Sequence, residues 1–196
     1  MDEKAAELLD KMNKSADRMK LLINNLLEYS RVTTNAKPFV SFDLSNAVES
    51  AKSDLEVLID QTGAEITSDK LPVIEADPSQ IHQLFQNLIS NAVKFQKPDH
   101  KPVVKISCRS IKLKAKPYAE IRVQDNGIGI KKEYQDVVFG VFQRLHSQKD
   151  YEGTGIGLAI CKRVVERHNG TISVESESGK GTAFIITLPF KQPKQD

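Results

Sequence analysis

Two glycine clusters set the strictest limits on how this chain can fold: Asp125-Asn126-Gly127-Ile128-Gly129-Ile130 and Gly153-Thr154-Gly155-Ile156-Gly157-Leu158. Glycine is needed where the backbone takes a positive φ or passes a ligand with no room for a Cβ. The polar segment between the clusters carries Phe142, Arg144 and Lys149, which predicts a pocket with a lid. The second cluster runs into an amphipathic helix that ends at His168-Asn169-Gly170. A glycine-rich turn feeding a helix N-terminus presents free N–H groups and a positive dipole end, so it can hold phosphate. One such turn alone is too common to decide a function.

At 196 residues the chain suits one main domain with an appendage. Its formal net charge is +2, and its basic residues are scattered rather than gathered into a stripe, which argues against a nucleic-acid surface. Cys108 and Cys161 lack metal-ligand spacing and suit a reducing compartment. The charged start does not read as a signal peptide, and no apolar run is long enough to span a bilayer. A cytoplasmic location is expected for this stretch, whether or not a parent protein is membrane-anchored.

Residues 3–31 contain no proline or glycine, and Ala5, Leu9, Met12, Ala16, Met19, Ile23, Leu26 and Ser30 recur at alternating steps of four and three. That is a heptad seam on one long helix, and Leu8, Leu22 and Leu27 widen it enough to want partner helices. A plain packing helix and a signalling helix fit it equally. After a short linker, a strand over residues 39–42 precedes a helix that begins at Asp43 or Ser45 and extends to about residue 61. Two short strands follow, at residues 64–67 and 72–75.

Asp77-Pro78-Ser79-Gln80 is a helix start, with a capping side chain, proline at the first helical position and Gln80 placed to close a capping box. On the helix that follows, Ile81, Leu84, Phe85, Leu88, Ala92 and Phe95 make an apolar face, and Asn87, Asn91 and Lys94 share the neighbouring ridge. Asparagine is a poor interior helix former, so two of them one turn apart need partners. Amide oxygens can ligate Mg²⁺, amide nitrogens can meet phosphate, and Lys94 adds charge; a polar face that only caps a neighbouring loop is the other reading. Paired strands over residues 103–112 and 118–124 then deliver Asp125 at a strand end, placed to accept from a ligand amine, although Asp-Asn-Gly is also a common turn. After the second glycine cluster and its helix, strands over residues 171–176 and 182–188 form a last hairpin.

Together these pieces resemble the catalytic and ATP-binding domain of sensor histidine kinases, within the superfamily of gyrase, Hsp90, histidine kinase and MutL ATPases. Residues 83–95 resemble the N box, residues 125–130 the first glycine box, Val138-Phe139 with Phe142-Gln143-Arg144 the F box, and residues 153–158 the second glycine box. All four occur in the family's order. The likeness covers about residues 38–190, and residues 142–170 are especially similar to phytochrome-type and other PAS-linked kinases.

The resemblance implies an α/β fold, a two-layer sandwich of a mixed β-sheet and helices of the Bergerat type, preceded by the long N-terminal helix. It implies a catalytic ATP-binding domain over residues 35–196. It makes Asn91 the Mg²⁺ ligand, with Asn87 and Lys94 near the phosphates of ATP, and makes Asp125 the acceptor for the adenine amino group, aided by Thr182 through a shared water. Gly127 and Gly129 would let the turn pass under the base, with Ile130 beside it. Residues 131–152 would close over the triphosphate, Arg144 would reach the γ-phosphate, and Gly153, Thr154, Gly155, Gly157 and Leu158 would supply hinge and backbone donors. The hydrolytic relatives resemble one another in having glutamate as general base where this chain has Asn87. An amide cannot take a proton from water in that way, so Asn87, Lys94 and Arg144 are expected to serve phosphoryl transfer to histidine.

Residues 1–34 resemble the second helix of the dimerisation and phosphoacceptor hairpin. No histidine precedes His82, so the first helix of that hairpin is expected to be missing, and His82, His100, His146 and His168 are poor substitutes for its phosphoacceptor. The chain reads as a truncated histidine kinase that binds Mg·ATP or ADP and transfers the γ-phosphoryl group to a histidine elsewhere. Its implied partners are the parent's phosphoacceptor hairpin, a response-regulator receiver domain and a second copy in a full-length homodimer. A gyrase- or Hsp90-type ATP hydrolase and a non-catalytic nucleotide-binding or dimerisation module are the alternatives.

Overall fold

The computed structural model describes residues 3–113, 116–143 and 154–193. The first element, α1 (Glu3–Thr34), is one unbroken helix, as the absence of proline and glycine predicts. Its last turns join the body of the protein: Val32 is buried, and Leu22 and Tyr29 pack against the same core. Its heptad seam is open, with Leu9, Met12, Met19, Ile23 and Leu26 all about half exposed or more. No described helix is long and apolar enough to cross a membrane.

The body is an α/β sandwich. A five-stranded sheet has the order β2 (Glu65–Ser68), β4 (Val103–Leu113), β5 (Lys116–Asp125), β7 (Gly181–Pro189), β6 (Thr171–Glu177). Only the β2–β4 pair is parallel, so the sheet is mixed. Helices α2 (Leu44–Asp54), α4 (Pro78–Lys94) and α5 (Gly157–Arg167) bury their apolar stripes in the core that covers one face. Side chains alternate between faces along a strand, and the register stacks Ile106 beside Val123 and Phe184, and Ile121 beside Ile186 and Ile172. All are in or against the core. The opposite face carries the ion pairs Arg109–Glu120 and Arg122–Glu175.

One local reading is corrected, and one is extended. The expected single helix after Asp43 breaks at Leu55, giving α2 and a separate α3 (Glu56–Thr62), while Leu55 and Leu58 remain against the core. The two short strands of this region join different sheets. β2 adds to the edge of the main sheet, whereas β3 (Val73–Ala76) pairs antiparallel with β1 (Val40–Asp43). The turn between them redirects the chain, and the Leu44 N–H is satisfied by the Pro72 carbonyl at 3.2 Å.

The start of α4 is the densest polar junction in the core. Asp77 is the N-cap: its Oδ1 accepts from the N–H of Ser79 and of Gln80 and from Ser79 Oγ at 2.6 Å. Its Oδ2 accepts from the Lys37 N–H at 2.9 Å and from Arg167 at 3.2 Å. Gln80 does not reach back to close the predicted capping box. Its Nε2 donates to the Val32 carbonyl and its Oε1 accepts from Arg167. The Asp77 N–H is taken by buried His168, whose Nε2 accepts it at 3.0 Å, while Nδ1 donates to the Val164 carbonyl at 2.7 Å.

Those two bonds require one neutral tautomer, and burial pushes the His168 imidazole below its ordinary value, helped by the Arg167 charge and opposed by Val164 and Asp77. A histidine with a depressed folded-state pKa contributes stability in full above its unfolded value, about 6.5, and loses it as pH falls below that value. Urea unfolding of the wild type and His168→Gln between about pH 7 and pH 5 should show the difference between them shrinking on acidification, with a slope of at most about 1.4 kcal/mol per pH unit. Parallel curves would remove His168 as the titrating group.

Candidate functional site

The inward-facing row of β5 reads Ile121, Val123, Asp125, so the strand's period of two carries a carboxylate into the position where the next apolar core residue would stand. Across the sheet, the inward row of β7 starts at Thr182, before Phe184 and Ile186. The Thr182 N–H donates to Asp125 Oδ1 at 3.0 Å, and the Gly127 N–H donates to the same oxygen at 2.8 Å. Among the described residues none hydrogen-bonds Oδ2. Burial raises the Asp125 carboxyl to about 6, outweighing those two hydrogen bonds and the charge of Lys97. This group therefore exchanges its proton close to neutrality.

Asp125 stands at one end of a cavity of about 250 Å³. Asn87, Asn91 and Lys94 line it from α4, Gly129 and Ile130 from the loop after β5, Thr154, Gly155, Gly157 and Leu158 from the entry to α5, and Thr182 from β7. From Asn87 to Phe95, where the Ile128 N–H meets the α4 C-terminus at 3.0 Å, the cavity follows α4 for about 12 Å at 1.5 Å per residue. Asn87 is oriented by its own helix, with Nδ2 donating to the Gln83 carbonyl at 3.0 Å. Lys94 Nζ lies 5.7 Å from the centre of the Phe95 ring.

The glycines have separate tasks. Gly129 has φ +71°, and a Cβ there would come within 2.1 Å of the Glu177 carbonyl oxygen, so the loop can lie against the β6–β7 turn only without a side chain. Gly157 opens α5, and a Cβ on it would meet Asn87 Oδ1 at 2.9 Å. The N-terminus of α5 therefore sits directly against Asn87. No side chain caps α5, so its first-turn N–H groups and dipole are available to an anion.

The predicted residues thus converge, with one qualification: Gly127 supports the wall from behind, its N–H holding Asp125 and its missing Cβ clearing the Phe95 carbonyl. Arg144 and Gly153 lie outside the described residues, as do His146 and Lys149. Further wall residues come partly from the expected boxes, as Ile128, Val138 and Gln143 do, and partly from positions that were not anticipated. Ile128, Val138, Gln143, Ile160 and Phe184 complete the lining, and so do Asn25 and Glu28 from α1. Phe184 could have been found from its parity with Thr182. Asn25 and Glu28 could not, because only the docking of a distant helix brings them there. Chemically, the cavity offers a carboxylate acceptor at one end and, toward the other, amide groups and an uncapped helix N-terminus. Such a site suits a ligand with an amine at one end and anionic oxygens at the other.

Residues 76–192, more than half of the chain, match the family described as histidine kinase-, DNA gyrase B-, and HSP90-like ATPase. Over 189 residues the chain is 40% identical to cyanobacterial phytochrome A of Nostoc sp., covering 96% of this chain and 24% of that protein. It is 39% identical over 190 residues to the phytochrome-like protein Cph1 of Synechocystis sp., covering 97% of this chain and 25% of that protein. The chain therefore spans about a quarter of the length of these relatives. Among solved structures, the mycobacterial sensor histidine kinase MprB superposes with a TM-score of 0.64 at 26% identity, covering 79% of this chain and 99% of that one. Full-length ShkA, solved with AMPPNP, shares the fold over the whole of this chain and 41% of its own, with a TM-score of 0.71 at 22% identity. The boxes, the sandwich and these similarities agree: the chain belongs to the family of histidine kinase-, DNA gyrase B- and HSP90-like ATPases.

Proposed function

We propose that this chain is the catalytic part of a two-component sensor histidine kinase, which binds Mg·ATP and transfers the γ-phosphoryl group to a histidine outside this chain. The observation that carries the reading is the pairing of a partly buried carboxylate, Asp125, with a helix N-terminus at Gly157 that no described side chain caps, along one cavity. In this reading, ionised Asp125 accepts from the adenine 6-amino group and Thr182 borders the base. The start of α5, with Thr154 and Gly155 before it, donates to phosphate oxygens, and Asn87 and Lys94 add donors along α4. Asn91 offers an amide oxygen, a hard ligand of the kind Mg²⁺ takes alongside phosphates and water. Held through Asn91, Mg²⁺ would supply charge neutralisation to the polyphosphate. Arg144 is assigned to the γ-phosphate. Catalysis then rests on positioning and charge stabilisation, which suits a nucleophilic neutral imidazole. Asn87, an amide, gives water no general base.

The division into a helix over residues 1–34 and a catalytic unit over residues 35–196 belongs to this proposal. So do the partners: the open α1 seam suits the other helix of a phosphoacceptor hairpin and a second copy in a homodimer, and a receiver domain would take the phosphoryl group onward.

Calorimetric titration with ADP and a non-hydrolysable ATP analogue, with and without Mg²⁺, tests the pocket. Asp125→Asn should weaken binding by at least about tenfold, since a hydrogen bond to a charged group is worth about 1.5–3 kcal/mol. Asn91→Ala should remove mainly the Mg²⁺ dependence. Absence of binding to the wild type would sink the reading.

The Asp125 carboxyl also predicts a pH profile. Only its ionised form accepts from the amine, so with a value of about 6 adenosine affinity should fall about tenfold between about pH 7 and pH 5. A flat profile would exclude Asp125 as the acceptor. With a separately supplied phosphoacceptor hairpin and labelled ATP, label should appear on the hairpin and not on this chain. Rapid steady-state hydrolysis instead would favour the hydrolase reading.

A further inference from the structure

One wall of the cavity comes from α1. Asn25 and Glu28 stand one turn apart on that helix and both line the cavity. Each is held from the body: Asn25 Nδ2 donates to Thr154 Oγ1 at 2.7 Å, and Gln83 Nε2 donates to Glu28 Oε2 at 3.4 Å. Thr154 lies just before α5, and Gln83 is the residue whose carbonyl orients Asn87. Both attachments are therefore at the Asn87 end of the cavity, away from Asp125 and Thr182. Glu28, an exposed residue, lines the same cavity as Gly155 and Gly157 at the entry to α5.

The attachment of α1 is uneven. Toward its C-terminus, Val32 is 2% exposed and its carbonyl accepts from Gln80 at 2.8 Å, while Arg163 stacks on Tyr29 at 4.8 Å and donates to Thr33 at 3.1 Å. Around Asn25 and Glu28, by contrast, Ile23, Leu26 and Leu27 are about half exposed, and the hold is polar. Leu22 and Tyr29 on either side of this turn pack against the core, whereas Asn25 and Glu28 meet the cavity through polar side chains.

Resting on the nucleotide reading above, we infer that Glu28, positioned by Asn25, sets the charge selectivity of the pocket: its carboxylate opposes the polyphosphate, so docking of the Asn25–Glu28 turn and binding of a nucleoside triphosphate compete. The docked turn favours an uncharged nucleoside over a triphosphate. Like charges at the edge of a partly buried site repel more strongly than they do in water, whereas an uncharged nucleoside experiences no such repulsion.

The test compares adenosine, ADP and a non-hydrolysable ATP analogue on the whole chain. Glu28→Gln should raise affinity for the ATP analogue about five- to tenfold, raise that for ADP less, and leave adenosine unchanged. Glu28→Asp, which keeps the charge, should retain most of the wild-type selectivity. Asn25→Ala should also favour the triphosphate, because it frees the turn. Equal changes for all three ligands would show a merely structural role and overturn the inference. So would no change in a wild type that binds all three, which would leave the nucleotide reading standing. Failure of the wild type to bind any of them would overturn both.

Discussion

The hydrogen-bonded node at Asp77 is what the rest of this structure depends on. Burying a carboxylate is costly unless its lone pairs are filled, and here both oxygens are: one by the first turn of α4, the other by the Lys37 N–H and Arg167. Burial alone would raise the Asp77 carboxyl; the bonds from Ser79, Lys37 and Gln80, with the Arg167 charge, outweigh it and hold the group below its ordinary value. Arg167 also lies over the Phe39 ring at 4.5 Å and donates to the Lys37 carbonyl at 2.6 Å. The linker after α1, the start of α4 and the end of α5 are thus fixed together. Since α4 carries Asn87 and Asn91 and α5 opens on Gly157, the node sets the angle at which the two halves of the cavity meet.

At the far end, the sheet imposes a different demand. Asp125 occupies an inward register position, and ionising it there is unfavourable. With its folded-state value raised to about 6 from an ordinary 3.9 or so, the carboxyl makes its greatest contribution to stability below the unfolded value. That contribution is lost as pH rises through about 6. At neutral pH the protein holds a charge that the fold alone would prefer to discard. A ligand donor that meets this oxygen removes part of that cost, which ties recognition to stability at a single atom.

Much of this was legible in the sequence because it is written in short periods. The polar ridge of Asn87, Asn91 and Lys94 follows from the helical repeat, Asp125 from strand parity, and the tight passage at Gly129 from residue type. The misses involve groups that meet across long separations. Gln80 has the right spacing for a capping box, but a histidine 91 residues beyond Asp77 takes the N–H instead, and Gln80 is diverted to Val32 and Arg167. Leu55 has good helical neighbours, yet the chain bends there. Asn25 and Glu28 look like ordinary polar positions on a heptad helix until docking turns them toward the cavity.

The placement of β7 between β5 and β6 has a consequence for how the protein is made. β5 gains its second neighbour only from residues 181–189, and Asp125 receives the Thr182 N–H only then. During synthesis the β4–β5 hairpin emerges with one long edge bare and a carboxylate waiting at its open end. Such non-local pairing folds slowly and leaves strand edges open to wrong partners. Until the last hairpin arrives and pairs its β7 strand with that edge, the half-built sheet is the part of the nascent chain that a chaperone or a ligand would have most reason to hold.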